Sequence, residues 1–236
     1  MEEVGIHLIF EGLWQALERI VSLDAGLREA TWRTLQVSGT ATLFSLLLGV
    51  PAGVSLALSR FRGRTFVVAL INTGMGLPPV VVGLFVMIFL WRSGPFGELR
   101  LLYTPTAMVI AQTMIAFPIV AGLSLAAVQS LPVRLKLQVQ ALGATRLQSV
   151  WLLAREARLP LLAAIMAGFG AVVSEVGASL MVGGNLRGST RVLTTATVLE
   201  ASKGNFASAI ALSLLLLGLA YAINLILTRL QQQGRA

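Results

Sequence analysis

The sequence predicts an all-α, polytopic membrane protein: one helical bundle of about five transmembrane helices, preceded by an amphipathic helix. Three observations carry this expectation. Of 236 residues, 56% are hydrophobic and only 12% are charged, whereas a soluble globular domain has about 25% charged residues. Too little polar surface remains to cover such a domain. The apolar residues fall in blocks long enough to cross the hydrocarbon core, which takes about 20 helical residues. No Gly-, Ser- or Pro-rich spacer divides the chain and no internal repeat is visible, so residues 1–236 are expected to form a single domain with its membrane core at 34–228.

Residues 4–23 come first. Ile6, Ile9, Phe10, Leu13, Leu17 and Ile20 fall on one helical face and Glu11, Gln15, Glu18 and Arg19 on the other. That pattern suits a helix lying in the membrane interface. A sixth span is the alternative, made costly by the charges in its middle and end. The five expected spans are Thr34–Leu58, Phe66–Trp91, Pro105–Gln129, Leu159–Val182 and Phe206–Thr228. Pro51, Pro78, Pro79 and Pro118 lie inside these blocks, and a bundle can re-satisfy the carbonyls they free. The Pro78–Pro79 pair marks an expected kink.

Charge orients the bundle. Segments 59–65, 131–158 and the tail after 228 hold ten Lys/Arg (Arg60, Arg62, Arg64, Arg134, Lys136, Arg146, Arg155, Arg158, Arg229 and Arg235) against one acid, Glu156. The other side holds eight basic residues balanced by eight acids. Basic residues gather on the cytoplasmic side. The expected orientation therefore has the N-terminus outside and the C-terminus in the cytoplasm. The net charge of +8 is explained by this sorting and not by nucleic acid, since no basic stripe is interleaved with stacking aromatics.

Composition removes several chemistries. There is no cysteine and one histidine, His7, so neither thiol chemistry nor a histidine-based metal site is expected. Residues 183–190 (Gly-Gly-Asn-Leu-Arg-Gly-Ser-Thr) have the glycine spacing of a P-loop, but Ser189 stands where its lysine belongs and an apolar helix precedes it. A P-loop needs a strand before it, so this segment reads as a flexible outer loop. The chain is expected to bind no cofactor itself, and no nucleophile–base set points to an enzyme.

One ionisable residue lies deep in a membrane block, Glu175, among Ser174, Gly177, Ala178 and Ser179. An intramembrane carboxylate is a functional candidate by default. It either lines a translocation path or, hydrogen-bonded, fixes helix packing. Gly170, Ser174 and Ala178 recur every four residues, as on a face that admits a close neighbour. The segment 131–159 is too long for a mere connector and reads as two helical pieces broken near Gly143. Beyond the break, Leu147, Val150, Trp151 and Ala154 form an apolar stripe. That stripe needs cover, from a partner's groove or from the chain's own bundle.

A Leu142-Gly143-Ala144 turn between two cytoplasmic helical pieces, with Leu159-Pro160 opening the next span, resembles the coupling loop of ABC importer permeases of type I. Two departures accompany it. Leu137-Gln138-Val139 replaces the usual Glu-Ala-Ala, and the spacing from Gly143 to Pro160 is about one helical turn longer. Ser174-Glu175-Val176-Gly177-Ala178-Ser179 is similar to the Glu-x-Gly-Ala segment of molybdate and sulfate permeases. The run 174–186, with that longer spacing, is most similar to the tungstate permeases.

The resemblance implies a bacterial or archaeal cytoplasmic-membrane subunit that imports a tetrahedral oxyanion. It implies two copies of this chain, two ATPase subunits that hold the ATP, and an external binding protein. Five helices cannot readily enclose a path alone, which independently favours two copies. Leu142, Gly143, Ala144, Arg146, Trp151, Leu159 and Pro160 are the expected ATPase-coupling residues. Ser174, Glu175, Gly177, Ser179, Thr40 and Thr42 are the expected path residues, the hydroxyls serving as neutral donors to a dianion. Arg92, Arg100, Arg187 and Arg191 are either contacts for the binding protein or solvated loop charges. The alternatives are a molybdate or sulfate permease and a stand-alone secondary transporter.

Overall fold

The structure is a computed structural model that describes residues 10–14, 17–18 and 25–233. Among these residues every regular element is helical. The helices are α1 (Ala25–Leu58), α2 (Arg64–Met75), α3 (Pro79–Leu90), α4 (Pro105–Gln129), α5 (Val133–Ala141), α6 (Arg146–Glu156), α7 (Arg158–Val173), α8 (Gly177–Gly183), α9 (Leu193–Ser202) and α10 (Phe206–Gln233), with a 3-10 turn at Gly97–Leu99. Helices α1, α4 and α10 are each long and apolar enough to cross a membrane. The boundaries of α4 coincide with the expected span, whereas α1 begins nine residues earlier than Thr34 and α10 continues to Gln233.

Two expected spans are interrupted. The second breaks between Met75 and Pro79, at the expected proline pair. The fourth was expected to be continuous from Leu159 to Val182, but α7 stops at Val173 and α8 starts only at Gly177. Gly170, Ser174 and Ala178 therefore do not share one helical face. The 16 residues of α7 reach roughly 24 Å, short of the ~30 Å hydrocarbon core. Helix α6 does not extend it, because the axes of the two helices meet at 79°.

The chain forms two compact units. One comprises Met1–Thr40, Pro78–Gln112 and Val173–Leu225, the other Ala41–Leu77, Thr113–Val172 and Ile226–Ala236. In the second, Val54 of α1, Ala127 and Val128 of α4, Val139 of α5, Leu153 of α6, Ala157 of the turn after it and Leu161 of α7 form one buried cluster. Helix α1 meets α4 there without room for a side chain. A Cβ on Gly53 would stand 2.3 Å from the Ala121 carbonyl oxygen and 2.8 Å from Ser124 Cβ. Gly53→Ala should therefore destabilise the protein by about 1–3 kcal/mol, read as a lower melting temperature in detergent.

In the first unit, Ala30, Leu193, Ala196 and Leu212 form a second cluster, which ties the start of α1 to α9 and α10. The Thr34 hydroxyl accepts the Leu193 N–H at 2.9 Å, so α1 supplies a cap for the first turn of α9. Residues 10–14 are helical and sit close to α10, where a Cβ on Gly12 would be 2.7 Å from Ile210 Cγ2. Phe10, Leu13 and Leu17 of the expected amphipathic face are exposed. Glu11 and Glu18 of the expected polar face are exposed too, while Ile6, Ile9, Gln15, Arg19 and Ile20 lie outside the described residues. Segment 183–190 is not an open loop. Thr190 is fully buried, its hydroxyl donates to the Gly183 carbonyl and accepts the Leu186 N–H, and Arg191 donates to Asn185.

Candidate functional sites in the 131–159 segment and at the Glu175 break

The 131–159 segment folds as the expected pair of helical pieces. Helix α5 ends in a Schellman turn: Gly143 takes φ +73°, and the Ala144 N–H reaches back to the Val139 carbonyl at 3.3 Å. Val139 and the adjoining Ala144 pack in the same cluster, the apolar contact that accompanies this motif. Thr145 then starts α6 with a reciprocal cap. Its hydroxyl accepts the Gln148 N–H, and Gln148 Oε1 accepts the Thr145 N–H at 2.8 Å.

A side chain with a Cβ is strained at positive φ by about 1–2 kcal/mol, while the space around Gly143 is open. Gly143→Ala should therefore lower the melting temperature of the protein more than Gly143→Asn, which tolerates that conformation, as thermal unfolding of the two variants checks.

Helix α6 uses two faces. Val150, Leu153 and Ala154 pack into the chain's own cluster, whereas Leu147 and Trp151 remain 80% and 60% exposed. The expected single stripe thus divides: the chain's own cluster covers Val150 and Ala154 and leaves Leu147 and Trp151 uncovered. Leu142, 86% exposed at the turn, and Val133 and Leu137 of α5 add further uncovered apolar surface. The Arg155 guanidinium stands 5.4 Å from the Trp151 ring centroid, within cation–π distance. Leu152, Arg155, Glu156, Arg158 and Leu159 line an adjacent hollow of about 520 Å³. The Leu159 carbonyl accepts Gln231 Nε2 at 3.2 Å, and Pro160 is exposed in the first turn of α7, where its missing N–H costs nothing. Arg146 opens α6; its side chain lies outside the described structure.

The Glu175 break is built from unit-one residues. Glu175 is 6% exposed, and its carboxylate accepts the Ala178 N–H at 2.7 Å, with further favourable interaction from the Val176 and Gly177 amides. It thereby covers the otherwise unpaired N–H groups that open α8. The Glu175 carbonyl accepts the Thr194 hydroxyl at 2.9 Å, which fastens the break to α9. Ser179 is completely buried and its hydroxyl accepts Gln112 Nε2 at 3.1 Å. A Cβ on Gly177 would lie 2.5 Å from Val80 Cγ2, so α3 presses against this turn.

The expected path residues therefore separate. Glu175, Gly177 and Ser179 are brought together, but as a packed and hydrogen-bonded joint. Ser174 is exposed, Thr40 half-buried and Thr42 buried. Thr40 and Thr42 stand two residues apart on α1, about 200° around the helix, and cannot line one face. Gln112, Thr194 and Thr34 carry much of the polar bonding and were not expected. Toward the other end of α3, Arg92 and Arg100 line, with Trp91, Glu98 and Tyr103, a hollow of about 870 Å³. Arg187 is exposed, while Arg191 is engaged by Asn185.

Long apolar helices and broken spans define a polytopic helical membrane protein. Residues 49–233 match the family described as the binding-protein-dependent transport system inner membrane component, and the chain belongs to that family. It is 44% identical to a probable anion ABC transporter permease protein of Haloferax volcanii, over 81% of this chain and 84% of that protein. It is 38% identical to the tungstate uptake system permease protein TupB of Peptoclostridium acidaminophilum, over 97% of this chain and all of that protein. The fold is similar to that of a chain in the inward-facing MetNI methionine ABC transporter, with a TM-score of 0.74 at 24% identity, covering 90% of this chain and 97% of the other.

Proposed function

We propose that this chain is the membrane-spanning subunit of an ATP-driven importer of tungstate, working as two copies with two ATPase subunits and an external binding protein. The carrying observation is the end-to-end similarity to a tungstate uptake permease, supported by the uncovered apolar face of α6. The ATP sites belong to the partner subunits, whose closure draws the two α6 helices together and switches the bundle between two states. The C-terminus and the 131–159 segment face the cytoplasm and the N-terminus faces outward, in a prokaryotic cytoplasmic membrane. A fixed cation deep in the path would hold a dianion too tightly for release, and the spans are free of such cations. Neutral donors, Ser174 among them, suffice.

ATP hydrolysis in proteoliposomes containing this chain, its co-purified ATPase and anion-loaded binding protein tests this reading. Stimulation by the tungstate-loaded protein alone is expected. Equal stimulation by tungstate-, molybdate- and sulfate-loaded protein would make it a broad oxyanion importer, and failure to co-purify an ATPase would favour a secondary transporter.

A further inference from the structure

The break in the second span has an unusual exposure. Pro78 and Pro79 carry no N–H, so the carbonyls of Gly74 and Met75 lose the donors a continuous helix would give them. The Leu77 N–H takes the Gly74 carbonyl at 3.3 Å, and the Gly76 N–H takes that of Thr73 at 3.1 Å. Among the described residues none donates to the Met75 carbonyl.

One face of this last turn of α2 is seated on α4. Ile71 is buried, a Cβ on Gly74 would lie 2.8 Å from Pro118 Cβ, and one on Gly122 would lie 2.5 Å from Met75 Sδ. Ile71, Gly74 and Met75 follow the i, i+3, i+4 spacing of one helix face. Asn72, Thr73 and Gly76 occupy the opposite face, and all three are exposed. Neither the Asn72 nor the Thr73 side chain has a hydrogen-bond partner among the described residues. This face lies within the expected span Phe66–Trp91, where lipid does not accommodate open backbone or an exposed carboxamide. Such groups persist at membrane depth only under protein cover or against water.

We propose that Asn72, Thr73 and the break after Met75 line the water-filled path, and that the Asn72 carboxamide and Thr73 hydroxyl donate hydrogen bonds to the passing oxyanion. The inference rests on the transport reading above and adds the residues that would meet the substrate. Both donors are neutral, so they orient a tetrahedral dianion without retaining it.

The chain has no cysteine, so single-cysteine variants report directly. Asn72→Cys, Thr73→Cys and Leu217→Cys, the last a control 66% exposed on α10, are reconstituted with the co-purified ATPase. They are then treated with a charged, membrane-impermeant methanethiosulfonate, and labelling is read on the permease chain alone. Both path variants should label at least tenfold faster than the control and slow at least threefold with tungstate and its binding protein. Asn72→Leu should cut tungstate uptake about tenfold while the complex still assembles.

Labelling at the control rate overturns the proposal. So does oxidative cross-linking of Asn72→Cys into dimers that resist the reagent, which would make this face an interface between copies. Fast labelling with no tungstate protection overturns the donor role. Failure of the transport reading itself appears separately, as loss of tungstate-stimulated ATP hydrolysis in the unsubstituted complex.

Discussion

Replacing Leu147 with Asp and Trp151 with Ala together should strip the ATPase from the purified permease while leaving the bundle folded. Both side chains project away from the chain's own core, so their loss opens no cavity in it. At an interface, an anchoring tryptophan is worth about 2 kcal/mol or more, roughly 30-fold in affinity. A buried aspartate in the same groove adds a desolvation penalty. The pair should weaken association at least hundredfold, measured by co-purification and by titrating detached ATPase onto permease in nanodiscs. Leu153→Ala provides the contrast. It removes a side chain only 3% exposed and should cost about 2–5 kcal/mol of stability. An unaltered ATPase affinity in the double variant would show that the partner docks elsewhere.

Glu175→Ala should abolish uptake and lower thermal stability, because it leaves the Ala178 N–H and its neighbours unpaired in the interior. An orphaned buried donor costs about 1–3 kcal/mol. Glu175→Gln keeps an oxygen that accepts the Ala178 N–H and should retain most of both properties. The comparison separates the two roles considered for this residue. If Gln is as damaging as Ala in uptake but not in melting temperature, the negative charge itself takes part in transport. If Gln is benign, the carboxylate serves the joint between α7 and α8.

Much of this arrangement was legible because hydrophobic block length is a strong signal in lipid. Pro105–Gln129 was delimited by its own proline and by the polar residues after it, and α4 has those bounds. The α5–α6 turn was legible from Gly143. The Thr145–Gln148 cap was equally readable as a T-x-x-Q pattern, yet only the structure brought it forward. The interruption after Val173 was hidden for a physical reason. Ser174, Glu175 and Gly177 are a small polar gap in an otherwise apolar run, and composition alone does not tell a continuous helix from a carboxylate capping a new one. Gln112 escaped notice because its importance lies in a partner 67 positions away, Ser179. No local pattern encodes that pairing. The opposed fates of Leu147 and Leu153 likewise depend on where the cluster of Val54 and Val128 happens to lie.

The division of α6 into an anchored and an open side separates two kinds of evolutionary constraint. Changes at Val150, Leu153 and Ala154 are judged by whether the permease itself persists. Where α6 docks the ATPase as proposed, changes at Leu147 and Trp151 are judged by which motor the permease accepts, and that choice can be re-tuned at outward positions without passing through unstable permeases.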